Sequence, residues 1–402
     1  MTELLDGIRV LDLTSNVAGP FATKLLADYG ADVLKVEPPD GDAARREPPF
    51  FHDEPHPEKS ALFLHLNTNK RSVTLNLEQA EAREIVSRLA ADADVVVEDF
   101  APGRLDEWGL GWERLTAGRD DLVLASITPF GQSGPYRDYL ASEITLQAMG
   151  GPLHLNGTAE REPLKLAGHV AHYHAGAAAA LAIMLTRLRV EMGGAGDHID
   201  LAVYECQAGF RDRRTVFLTH AAYTGRTMHR PPAGSRFLSG VRPTPDGYVN
   251  LLVAAPRHLD EFLALIGRSD LAGHPEFRKT VVDMSPDFAA EVEGAYLAWL
   301  MSSSKQEALA ATQAIGILGG AILTAEDLVR DPHYRERGAW ETIDHPMTGP
   351  VEYPGRQLIL SETPRAQARR APLLGEHNRE VFGDRLGYSD EQLGRLRAQG
   401  VI

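Results

Sequence analysis

Along the first hundred residues the spacing of apolar positions changes period several times. The run "IRVLDLT" at 8–14 predicts a strand, "PFATKLLADYG" at 20–30 a helix with Pro20 in its first turn and Gly30 past its end, and "ADVLKVE" at 31–37 the next strand. Together they make one βαβ unit. A longer helical pattern at 78–93, "EQAEAREIVSRLAADA", leads into the strand runs "DVVVEDF" at 94–100 and "DLVLASITPFG" at 121–131. Strands this apolar, separated by helices, call for a parallel, doubly wound sheet covered on both faces, so an α/β fold is expected. From residue 215 onward the pattern shifts. A proline- and glycine-rich stretch at 229–253 carries a "PDG" turn before the strand "YVNLLVA" (248–254), and the helical segments "RHLDEFLALIG" (257–267) and "FAAEVEGAYLAWLMS" (288–302) follow. This reads as a smaller α/β unit extending to residue 330. Beyond it come an extended segment, "GPVEYPGRQLILS", and a closing helix, "SDEQLGRLRAQG".

Composition narrows the class. A chain of 402 residues implies two or three structural units, and 43% apolar with 24% charged residues is globular rather than disordered. No uninterrupted apolar run approaches the roughly 20 residues of a membrane span. The opening "MTELLDGIRVLDLT" has no basic region followed by an apolar one, so a cytoplasmic location is expected. Cys206 is the only cysteine, which excludes an internal disulfide and a multi-cysteine zinc site, and the preceding "LAV" favours burial over nucleophilic use. A net charge of −15 excludes general affinity for nucleic acid or anionic membrane. An anionic small molecule is still compatible with local groups such as "ARR" at 44–46 and "NKRS" at 69–72, which otherwise read as solvated surface charge.

Several common catalytic signatures are missing. The turn "TSNVAGP" after the first strand lacks G-x-G-x-x-G, the cluster "GGAG" at 193–196 reads as a loop, and neither G-x-S-x-G nor H-E-x-x-H occurs. The chemistry that stands out is "KLAGHVAHYHAGAAAALAIMLTRL" at 165–188, where His169, His172 and His174 crowd the mouth of a small-residue apolar helix.

A set of stretches running nearly end to end resembles the class III CoA-transferases, a family that includes carnitine dehydratase-like proteins and α-methylacyl-CoA racemases. They are "LDGIRVLDLTSNVAGPFATKLLADYGADVLKVEPPDGD", "NTNKRSVTLNL", "DVVVEDFAPGRLDEWGLG", "ITPFGQSGPY", "LQAMGGPLHLNG", "GDHIDLAVYE", "TAEDLVRDPHYRERGAW" and "APLLGEHNREVF". The resemblance implies a large Rossmann-like domain made from both chain ends (1–214 with a return at 331–402), a smaller α/β domain (215–330), and an interlocked homodimer. It implies CoA exchange between an acyl-CoA and a carboxylic acid, both as substrates, with no bound cofactor. In such transferases an aspartate four residues before a glycine attacks the thioester and forms a mixed anhydride. Here that segment is "HYHAG", and the position belongs to His172.

Other readings of His172 compete with plain tolerance of the change. It is a general base or acid for the α-proton of a thioester, paired with Glu143, as in a racemase, isomerase or dehydratase. Alternatively Glu143 replaces the aspartate in transfer, or the chain is a non-catalytic subunit paired with a related one. A metal site on His169, His172 and His174 ranks last, because spacings of three and two do not share one helical face and no nearby carboxylate completes a convincing set; no metal is expected. The resemblance also carries CoA contacts to Val17, Ala18, Gly19 and Phe100, and to Asp99 in place of a usual asparagine, with Arg104, Lys70 or Arg71 offsetting its charge. Pro38 stands where some members have a basic residue, and Arg45 or Arg46 is expected as an alternative phosphate contact.

Overall fold

The computed structural model describes residues 3–209, 219–232, 237–253, 258–363 and 366–402. They divide into two compact units, one built from residues 1–156, 163–229 and 338–402 and the other from 157–162 and 230–337. The boundary expected at 214/215 lies outside the described residues, as do Ala254 and Arg257 at the ends of the expected strand and helix.

The first unit holds six strands: β1 (Arg9–Asp12), β2 (Asp32–Glu37), β3 (Arg71–Thr74), β4 (Val95–Glu98), β5 (Val123–Thr128) and β6 (Asp197–Ala202). They lie in the order β3-β2-β1-β4-β5-β6, every pairing parallel. This is the order of the doubly wound dinucleotide fold, in which strand order reverses beside β1 and opens a crevice at the carboxyl ends of β1 and β4. Helices α1 (Ala18–Asp28), α2 (Ala61–Leu66), α3 (Ala80–Ala91), α4 (Arg104–Glu107), α5 (Trp112–Leu115), α6 (Glu143–Met149), α7 (Val170–Glu191) and α8 (Val203–Gly209) connect and flank the strands. Alternate strand residues sort to two cores. Val10, Val33, Val95, Val97 and Ala125 pack with Ala22, Leu26, Ala175 and Ala179 of α1 and α7. Leu11, Leu34, Val73, Val96 and Leu124 pack with Ile85 and Leu89 of α3. Val95, Val96 and Val97 are each 0% exposed, which is why this strand reads as a continuous apolar run rather than an alternation. Burying each such side chain is worth about 1.5–3 kcal/mol.

The helix layer over the first of these faces is tight at one point. A Cβ on Gly176 of α7 would lie 2.5 Å from the Ala18 carbonyl oxygen of α1, so any larger residue would push the two helices apart. The α7 sequence is rich in alanine for the same reason: small side chains let it lie close against α1.

The second unit is a three-stranded antiparallel sheet of β7 (Ser239–Thr244), β8 (Gly247–Leu252) and β9 (Leu318–Ala321), in that order. Phe262 of helix Leu259–Leu265 and Val292, Tyr296 and Leu300 of helix Pro286–Leu300 close its core over Val249 and Leu251. Gly338–Ile402 belongs again to the first unit. There the hairpin β10 (Trp340–His345) and β11 (Gly349–Pro354) sets Ile343 and Tyr353 against Phe63 and Leu64 of α2. Asn378 receives the Thr74 N–H at 2.9 Å, and Leu393 and Leu396 of the C-terminal helix Asp390–Ala398 enter the core beneath α3. No helix among the described residues is long and apolar enough to cross a membrane.

Candidate active site

Glu143 is the first residue of α6, whose start is held by a capping box between Ser142 and Thr145. His172 lies in the first turn of α7. The packing of α6 on α7 brings these two together across 29 residues of sequence: His172 Nδ1–H donates to Glu143 Oε2 at 2.6 Å. The other carboxylate oxygen accepts the Ala171 N–H at 2.8 Å and the Gln147 amide at 2.6 Å. The His169 N-cap side chain makes no cap bond, so Glu143 takes over that task for α7 and satisfies one of its orphan N–H groups at the positive end of the helix dipole. Burial alone would raise the Glu143 pKa. The bonds from His172, Ala171 and Gln147 outweigh it and hold the carboxyl at about 2, ionised at any working pH.

This pair is what the sequence reading singled out, and the structure adds Gln147 and the Ala171 N–H to it. Gln147 was within reach of sequence reasoning, being four residues after Glu143 on one helix face. The expectation that no nearby carboxylate completes a set with the histidines is corrected by the same packing. Glu143 takes the place beside His169 and His172 that the sequence reading gave to His174, and one ligand atom from each of the three lies within 4.8 Å of the others.

A cleft of about 290 Å³ opens at the carboxyl ends of β1, β2 and β4, where the strand order reverses. Thr14, Ser15, Pro38, Asn76, Asp99, Phe100 and Trp108 are among its lining residues. Val17, Ala18 and Gly19 follow β1 but are buried as whole residues and are not among those lining the cleft, so the structure does not bring them to it as the resemblance implied. Phe100 packs edge-on against Trp108 with ring centroids 4.9 Å apart. Arg104 extends over the Trp108 ring at 4.8 Å and pairs with Glu78, which also lines the cleft, at 2.8 Å. Asp99 accepts the Ser15 N–H at 2.8 Å. Burial pushes its pKa well above the ordinary carboxylate range, with Glu98 and Asp42 adding to the effect and the Ser15 N–H and Lys35 opposing it.

Of the other cations expected there, all but Arg46 are held by buried or partly buried carboxylates. Arg45 is 0% exposed, bonded to Glu37 at 2.7 and 2.9 Å, to Glu58 at 2.6 Å and to the Pro372 carbonyl at 3.1 Å, and it lies 3.6 Å over the Phe63 ring. A phosphate contact, expected of Arg45 from sequence, does not fit this placement. Arg46 is exposed and bonds the Asp40 carbonyl at 2.9 Å. Lys70 is buried against Asp12 at 3.0 Å, and Arg71 pairs with Asp32 and Glu380. Lys35 is likewise buried, 2.7 Å from Asp42.

The sequence profile described as CoA-transferase family III matches residues 5–378. The chain belongs to CoA-transferase family III. Full-length relatives agree with the match. The chain is 34% identical over 423 residues to a formyl-CoA:oxalate CoA-transferase of Streptomyces avermitilis, covering 100% of both proteins. It is 32% identical over 404 residues to a succinyl-CoA–D-citramalate CoA-transferase of Chloroflexus aurantiacus, covering 99% of this chain and 98% of that one. In three dimensions it is similar to a CaiB/BaiF family protein from Brucella suis, with a TM-score of 0.82, 30% identity, and coverage of 96% of this chain and 100% of the other. The family III membership and the parallel, doubly wound sheet expected from sequence are both found, the sheet having six strands.

Proposed function

We propose that this chain exchanges CoA between an acyl-CoA and a carboxylic acid, with Glu143 as the group that carries first the acyl moiety and then CoA. The observation that carries the reading is an ionised carboxylate held by three donors at the mouth of α7, in a chain of family III. His172 stands four residues before Gly176, where the resemblance sets an aspartate in the transferases. An imidazole cannot form the carboxylic anhydride this exchange passes through, and Glu143 is the carboxylate in direct contact with it.

A Glu143 oxygen attacks the thioester carbonyl, the C–S bond breaks, and CoA leaves as a thiolate from a mixed anhydride. The thiolate attacks the Glu143 carbonyl, freeing the donor acid and leaving a glutamyl-CoA thioester. An acceptor carboxylate attacks that thioester, and the released thiolate then takes the acceptor acyl group and restores Glu143. The imidazole donating to Glu143 Oε2 steadies the carboxylate each time it is released. CoA esters are the substrates, and the route needs no bound cofactor. The relatives' names, each pairing a CoA ester with an acid, support this class of reaction.

One observation favours a second reading. The bond to Glu143 fixes the proton of His172 on Nδ1, which leaves Nε2 as a base, the arrangement suited to removing the α-proton of a CoA ester. A panel of acyl-CoAs and acids incubated with the chain in D2O and read by mass spectrometry separates the two. Transfer yields new acyl-CoA products that Glu143→Ala abolishes, whereas proton chemistry yields deuterium uptake that His172→Ala abolishes, without new acyl-CoA. Failure of Glu143→Ala to reduce product formation would overturn the assignment of Glu143.

The assembly that accompanies this reading is a homodimer. It is supported by a stripe on α7 in which Leu181, Leu185, Leu188 and Met192 are 56%, 59%, 55% and 79% exposed at spacings of four, three and four residues. Large apolar side chains at helical spacing mark a face that a partner covers.

A further inference from the structure

The histidine crowding at the start of α7 serves more than one purpose if its geometry is taken as a donor set. His169 is the N-cap residue and His172 follows three positions later, so both side chains rise from the same side of the first turn. Glu143 reaches them from α6. A ligand atom from each lies within 4.8 Å of the other two, the one such group of three among the described residues. All three are partly buried, so an ion there is shielded from bulk water yet reachable from it.

We propose that Glu143, His169 and His172 form a binding site for a divalent transition-metal ion of the zinc, cobalt and nickel class. Two imidazoles and one carboxylate are a donor set that zinc accepts with a fourth position left to water, whereas magnesium and calcium prefer oxygen ligands throughout. Donors about 2.0–2.2 Å from a tetrahedral ion lie roughly 3.3–3.6 Å from one another. The present separations, all within 4.8 Å, bracket that range, and imidazole and carboxylate torsions are the degrees of freedom that adjust them. The Ala171 N–H and Gln147 amide on Glu143 Oε1 hold the carboxylate in place and leave Oε2 facing the histidines, the supporting shell a metal ligand needs. The site shares Glu143 and His172 with the acyl-exchange reading, so the test reads metal rather than turnover.

Purified tag-free chain is titrated with cobalt(II) and followed by visible absorption. The expected result is one equivalent per chain with the intense bands of four- or five-coordinate cobalt. His169→Gln and Glu143→Gln, checked for unchanged circular dichroism, weaken binding by more than about 10-fold. A wild-type chain showing only the spectrum of hydrated cobalt, or a folded His169→Gln chain binding like wild type, overturns the site. Should Glu143→Gln fail to fold, the His169→Gln titration and a His172→Gln titration still decide the matter. Cobalt bound at these residues without any acyl-CoA exchange keeps the site and removes the transfer reading, and exchange without cobalt binding does the reverse.

Discussion

Asp99 shows how a single side chain reverses its meaning once its surroundings are known. Beside a phosphate-bearing ligand an aspartate is unfavourable by Coulomb's law, yet burial raises its pKa well above the ordinary range. In its neutral form it presents an O–H donor and a carbonyl acceptor on the frame of an asparagine, the residue the resemblance sets there. A raised pKa keeps the neutral form dominant to higher pH than usual, and deprotonation above it adds a negative charge to the cleft. The KM for an acyl-CoA is therefore expected to rise with pH through the Asp99 titration in wild type and to stay flat in Asp99→Asn. A rise of equal size in both proteins would remove Asp99 from the binding site. The Glu143–His172 contact depends on its setting in a different way, since its geometry comes from two helices that approach each other far apart in sequence.

Among the elements, the segment carrying Arg45 illustrates what a local charge pattern hides. "ARR" reads as surface charge or as an anion contact, and the fold instead closes Glu37, Glu58 and Phe63 around Arg45. Removing it leaves Glu37 buried without its cation, so Arg45→Ala is expected to lower unfolding free energy by about 3–5 kcal/mol in urea titrations. A loss below about 1 kcal/mol, the level of an exposed pair, would contradict the clasp. The strands that were legible in sequence, β1, β2, β4 and β5, are the inner strands of the sheet, packed on both faces and built mainly from apolar residues. The two that escaped, β3 with "RSVT" and β6 with "DHIDLA", are the edge strands, short or studded with charge as edges tend to be. For the site, the histidine cluster was visible as local crowding and Glu143 entered through the resemblance. The Ala171 N–H was not legible, because a backbone donor has no signature of its own and its carboxylate partner lies 28 residues away.

At the scale of the whole molecule, the exposed stripe on α7 makes the assembly testable. Wild type is expected to sediment as a dimer, and Leu185→Glu combined with Leu188→Glu to shift it toward the monomer, with circular dichroism confirming an intact helix. A wild-type monomer, or a double variant that sediments unchanged, would move the contact away from this face. The first unit also has a property that comes from its connectivity. Its core around Leu89 and Leu110 is completed by Leu393, Leu396 and Val401, and β3 is bonded to Asn378, all from a segment that follows the entire second unit. On the ribosome, therefore, the parallel sheet waits with an open flank while more than a hundred intervening residues are made. The second unit, nearly all one uninterrupted stretch of chain, has its core residues available before the last segment of the first unit is made, so it is expected to complete its core ahead of the unit whose strands emerge first.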